Sequence, residues 1–274
     1  MFITDAPLDM RAPSGAYTAF YALFAVNMLG TLAWLAHRAR REGTIHPLAA
    51  LAGGLAVGAV VPPVYNALTK VWFPSNIPLP YVEAFGMKDP LFDMLGYALF
   101  IGFGGYLLLT QLRAGHGARA VYGTFLLWGV TDLLLEVPFL QWDLYQYYGD
   151  QPMEIGGFPL HWVVLNGFIP IAAGGLMYAV TDRWPGSPRG AAWRVAACPA
   201  VAGGLLMIPI FPVATALHAD VPSAVRVGAS LLSIAMTAAA VLAAARLADR
   251  HAGPTAPARS AGSLDADAVP ALTV

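Results

Sequence analysis

Asp132 and Glu136 stand one helical turn apart inside an otherwise apolar stretch, Gly123 to Phe139 (GTFLLWGVTDLLLEVPF). An acidic residue near the centre of a membrane helix costs roughly 2.5–3.5 kcal/mol, so both carboxyls are expected to face the protein interior rather than lipid. At (i, i+4) they share one helix face. In a low dielectric, desolvation and mutual repulsion are expected to keep at least one of them protonated near neutral pH, which makes the pair a proton donor. Hydrogen-bonding glue between helices is the structural alternative for the same two residues.

Other polar groups fall at related depths. At about 1.5 Å of rise per residue, Asn66, Asp93, His161 and Asn166 lie with Asp132 and Glu136 in one half of a membrane, and Asn27 lies near its middle. That one-sided distribution predicts a single cavity in that half rather than a through-going path. Aromatic residues crowd the same region. Phe125, Trp128 and Phe139 flank the acidic pair, and the loop Gln141 to Gly157 carries Trp142, Tyr145, Tyr147 and Tyr148 ahead of Phe158 and Trp162. Interfacial Trp and Tyr are ordinary in membrane proteins, but beside two carboxyls their faces also stabilise a cation by about 0.5–2 kcal/mol. A proton donor within aromatic walls suits carbocation chemistry. The segment Asn66 to Pro80 (NALTKVWFPSNIPLP) reads as a structured lid over the cavity, whereas Glu83, Asp89 and Asp150 read as a solvated acidic rim.

Positioning these residues requires a membrane bundle. Of the 274 residues 58 % are hydrophobic and only 11 % charged, more apolar surface than a soluble domain of this length needs. Seven stretches approach the roughly 20 residues a bilayer crossing requires, at about 16–37, 47–69, 91–112, 119–140, 158–181, 195–217 and 224–246. The expected fold is therefore an all-α, seven-transmembrane-helix bundle over residues 1–250, multi-pass in the cell membrane, with a disordered cytoplasmic tail at 251–274. Pro62, Pro63, Pro138, Pro170, Pro209 and Pro212 fall inside these stretches, each withdrawing a helical N–H. Such breaks are tolerated where backbone borders protein or a cavity. The basic residues set the orientation. Arg38, Arg40, Arg41, Arg113, Arg119, Arg183, Arg189, Arg194, Arg246, Arg250 and Arg259 fall on one side, against Arg11, Lys70, Lys88 and Arg226 on the other. By the positive-inside rule the amino terminus is outside and the carboxyl terminus inside. The first fifteen residues lack the basic-then-apolar pattern of a cleavable signal, so the first span is expected to act as its own targeting signal.

Several chemistries are excluded. A formal net charge of −1 argues against nucleic acid as a partner. The single cysteine, Cys198, permits neither an intrachain disulfide nor a thiolate cluster. No two of the six histidines have the helical spacing of a metal pair, so no metal is expected. Neither lysine lies in the last span, where a retinal protein would carry its Schiff base. Nucleotide hydrolysis and diphosphate ionisation lack their motifs, an Asp-rich run or a Gly-rich loop ending in Lys and Ser/Thr. Glycine pairs at Gly53/Gly54, Gly104/Gly105, Gly174/Gly175 and Gly203/Gly204 read as close helix packing.

With acidic residues inside its helices, an aromatic-rich outer half and no diphosphate-binding motif, the chain to about residue 247 resembles the small integral-membrane terpene cyclases of microbial meroterpenoid and indole-terpenoid pathways. That resemblance implies a cofactor-free cyclase acting on a hydrophobic prenylated small molecule. It places the acid on Glu136 or Asp132, with Asp93 as a third candidate. Phe125, Trp128, Trp142, Tyr145 and Trp162 would contact the substrate and shield the cation, and Asn66, Asn166 and His161 would orient the acid or take the final proton. The same acid also suits a carotenoid hydratase or a sterol-type isomerase, and the acidic pair alone suits a proton-coupled transporter or a receptor for a cationic ligand. The oligomeric state is left open.

Overall fold

A computed structural model describes residues 6–182, 184 and 187–251. Of the expected tail only His251, the last helical residue, is described; the rest of it and Arg183 lie outside the described residues. The helices are α1 (Ala16–Glu42), α2 (His46–Gly58), α3 (Val61–Thr69), α4 (Leu91–Tyr97), α5 (Gly105–Arg113), α6 (Gly117–Gln141), α7 (Leu160–Asp182), α8 (Pro188–Leu217) and α9 (Ser223–His251). Among the described residues six helical stretches are long and apolar enough to cross a membrane. The pair α2 and α3, bent by 46°, makes a seventh if it is one span. The bend falls just ahead of Pro62 and Pro63, whose rings withdraw two amide donors. By contrast α6, α7 and α8 run on through Pro138, Pro170, Pro209 and Pro212, so those prolines end no helix.

One interruption has no proline. Between α4 and α5 the chain continues as a π-wound stretch, Ala98–Gly104, a widening that recurs at functional sites. Glycines let it sit tightly. A Cβ on Gly54 of α2 would lie 2.8 Å from the Ala98 carbonyl oxygen, and one on Gly174 of α7 would lie 2.6 Å from that of Gly105. Backbone therefore packs on backbone there. Not every member of the glycine pairs serves this purpose, since Gly175 and Gly204 face open space.

The two ends of the bundle differ. At one end Arg38 pairs with Glu42 at 2.6 Å, Tyr106 donates to Glu42 at 2.7 Å and Arg113 pairs with Asp182 at 3.1 Å. This is the arginine end. At the other, the loops form three two-stranded antiparallel sheets, a feature that the all-α expectation missed. β1 (Val71–Trp72) pairs with β4 (Gln146–Tyr147), β2 (Tyr81–Ala84) with β3 (Met87–Pro90), and β5 (Glu154–Ile155) with β6 (Phe158–Pro159). Loop backbone that is buried must find hydrogen-bond partners, and the pairings supply them. The register sets Val71 opposite Tyr147 and Trp72 opposite Gln146. This hairpin end is also fastened by the Arg226–Asp150 ion pair, at 2.9 Å.

Candidate active site

Beneath the β1/β4 pairing, α1, α3, α4, α6 and α7 enclose a chamber of about 780 Å³ of empty space, counted out to its opening. Helical spacing brings its polar groups together. Asp132 and Glu136 share the face of α6 that points inward, Trp162 and Asn166 do the same on α7, and Asp93, Tyr97 and Phe100 follow one another at (i, i+4, i+7) along α4 and the π segment. β1 and the residue after it add Val71 and Phe73 from one side, and β4 and the residue before it add Tyr147 and Tyr145 from the other.

Each carboxyl that lines the chamber accepts from a neutral donor through one oxygen. Asn166 Nδ2 donates to Asp132 Oδ2 at 2.9 Å, and Asn66 Nδ2 donates to Asp93 Oδ2 at 3.2 Å. Glu136 Oε2 accepts from the Tyr145 hydroxyl and, at 3.3 Å, from that of Tyr147. The second oxygens of Asp132 and Glu136 are given no hydrogen bond among the described residues, whereas Asp93 also meets the Asp89 carboxyl. Burial, followed by the nearby Glu136, raises the Tyr145 phenol well above the ordinary tyrosine range, so it remains a donor. Burial likewise comes first in raising Tyr147. None of the described lining residues is basic.

The walls are aromatic. Phe92 stands 5.6 Å from Phe24 and 6.0 Å from Phe139, ring centre to ring centre, and Phe73 stands 5.4 Å from Tyr145. Trp162 is buried against Tyr65, and its buried Nε1 has no partner among the described residues.

Of the residues singled out from the sequence, Asp93, Asp132, Glu136, Asn66, Tyr145, Trp162 and Asn166 meet at the chamber. Four do not line it. Trp128 stands behind Phe100 at 4.7 Å, one turn below Asp132. Phe125, two turns below, packs on Gly167. Trp142 is 56 % exposed and touches Phe20 from outside. His161 is turned about 100° from Trp162 by the helix, and its Nδ1 meets Ser230 Oγ of α9 at 3.2 Å. Asn27 is exposed, and its amide folds back on the Leu23 carbonyl of its own helix at 3.0 Å.

Asp89 requires a correction. Instead of belonging to a solvated rim it is fully buried behind Asp93, where Asn66 also reaches it at 3.5 Å, and its Oδ1 has no partner. Burial first, then the charge of Asp93, holds its carboxyl well above the usual range. Glu83 and Asp150 are exposed, as expected. Sequence reasoning also missed Phe24, Phe73, Phe92, Tyr97 and Phe100 as lining residues. The (i, i+4, i+7) run from Asp93 would have found two of them. Among the described residues no three His, Cys, Asp or Glu side chains are placed to hold a metal ion.

Compared with protein-family models, with curated proteins and with solved structures, the chain finds no match.

Proposed function

We propose that this chain is a membrane-embedded terpene cyclase, crossing the cell membrane seven times with its amino terminus and hairpin end outside and its arginine end in the cytoplasm. What supports this reading is one observation: three carboxyls, each with one oxygen held by a neutral donor, share an aromatic chamber that no basic side chain lines among the described residues.

Glu136 is the acid. Its proton passes to a terminal alkene carbon or an epoxide oxygen of a prenyl chain, and the two phenols on Oε2 stabilise the carboxylate left behind. An internal alkene attacks the resulting cation and closes a ring. Phe92, Phe139 and Tyr97 face the moving positive charge. Asp132 or Asp93 then takes a proton from the carbon beside the final cation. The product is an isomer of the substrate, and the steps require neither redox chemistry nor diphosphate release.

The test incubates membranes carrying the wild type or Glu136→Gln with farnesylated and geranylgeranylated aromatic acceptors, with and without epoxidation, and follows the products by mass spectrometry. A product of unchanged mass that the variant does not form is the expected result. A gain of one water replaces cyclisation with hydration. Conversion of none of these acceptors abandons the enzyme reading in favour of a receptor or transporter for a cation, which the unbalanced carboxyls would also suit.

A further inference from the structure

The chamber is roofed but not walled on every side. Val71, Trp72, Phe73, Tyr145, Tyr147 and Phe158 are all buried at the hairpin end, so the strands close the chamber from above. The side between α1 and α6 is different. There α1 packs along α2 and α4. It reaches α6 through a cluster of rings near the hairpin end, with Phe20 at 4.5 Å and Phe24 at 6.4 Å from Phe139. One turn deeper on α6, Leu135 both lines the chamber and is 37 % exposed, beside Leu134 at 67 %. At that point the chamber wall is also the outer surface of the bundle.

Depth decides what lies outside this gap. Leu135 is six residues from the end of α6 and Phe24 eight from the start of α1, which puts them about 9 and 12 Å below the hairpin end. With interfacial layers of roughly 5–8 Å flanking a hydrocarbon core about 30 Å thick, both lie within hydrocarbon. Leu135 and the half-buried Phe24 and Phe100 line the chamber and are apolar, whereas Asp132 is buried.

We infer that the chamber is loaded sideways from the lipid, through the gap between α1 and α6 at Leu135, and that its substrate is an apolar chain dissolved in the bilayer core. Molecules confined to water meet the closed roof. A polar head group stays toward the interface while the chain slides under Phe139 to the carboxyls. This inference rests on the reading of the chamber as a prenyl-chain site, but its test uses no turnover.

The full chain, reconstituted in nanodiscs, is photolysed with a small apolar aryl diazirine dissolved in the bilayer, and the labelled residues are mapped by mass spectrometry. Label is expected on Tyr97 and Glu136 as well as on the lipid-facing controls Leu126 and Leu127. Leu135→Trp should cut the chamber label several-fold while the controls keep theirs, and Leu135→Ala should raise it. Chamber labelling that follows neither substitution overturns the inference. So does equal labelling by a charged, water-soluble diazirine added from outside. If labelling follows the gap while no acceptor is converted, sideways loading stands and the cyclase reading falls.

Discussion

Two of the cavities in this bundle stand one toward each end, and with the open space at their mouths left out they differ in size: about 100 Å³ under the hairpins and about 280 Å³ at the arginine end between α5, α6, α7 and α9. The first is bordered by three carboxyls with an amide or phenol on each. The second is bordered by Leu108, Leu112, Val121, Ile171, Ala244 and Leu247, with Tyr178 and His251 as its polar members. The difference teaches that space alone is not a site. An acid survives in an apolar interior only where donors have been built beside it, and Asn66, Asn166, Tyr145 and Tyr147 all stand at the hairpin end.

The largest test of this contrast exchanges acid for amide. Asp132→Asn keeps size and shape and should lower conversion by about a hundredfold or more, while Ile171→Val in the other cavity should leave it unchanged. Equal losses would erase the distinction. Next comes the donor shell: Tyr145→Phe removes one of two phenols from Glu136 and should slow turnover about tenfold with the melting temperature nearly unchanged. A rate that does not move would make that phenol structural.

What was legible in the sequence follows the same division. The spans could be read because long apolar runs have one physical cause, and the observed helices fall within a few residues of those expected except at α1, α8 and α9, which extend further. Asp132, Glu136, Asp93, Asn66 and Asn166 could be read because a polar group in hydrocarbon demands an interior position. The roof could not. Strands of two to four residues carry no periodic signal, so Asp89, between Lys88 and Pro90 in a polar loop, looked solvated although the β2/β3 pairing carries it inward. Trp128 and Phe125 were drawn into the site by proximity in sequence, and helical depth places them below it. The π segment left no mark beyond its glycines.

A smaller test compares two glycines. A Cβ on Gly104 would meet the Trp128 ring at 2.8 Å and Pro170 at 3.0 Å, so Gly104→Ala should destabilise by about 1–3 kcal/mol in a detergent melt. Gly175→Ala, at the other cavity and facing open space, should stabilise by up to about 1 kcal/mol. Shifts of one sign would mean that the two ends are equally well packed. The smallest effect is in pH. An Asp ionises near 3.9 in the unfolded chain, whereas Asp89 holds its proton to higher pH when folded. Its contribution is therefore full at low pH and is lost as pH rises toward the folded value. The wild type should melt progressively earlier as pH rises above about 4, and Asp89→Asn should flatten that slope. Identical slopes would return Asp89 to the solvent.

The β1/β4 roof has an evolutionary consequence. Residues on a strand alternate sides, and here Val71, Phe73, Tyr145 and Tyr147 face the chamber while Trp72 and Tyr148 stack edge to face away from it, 6.4 Å apart. Inserting or deleting one residue in the loop after α6 would turn both phenols outward and bring Gln146 and Tyr148 in, disarming Glu136 without touching it. A change of two would restore the pattern. Loop length in descendants of this chain should therefore drift in even steps at this point, although the helices beneath are free to diverge one residue at a time.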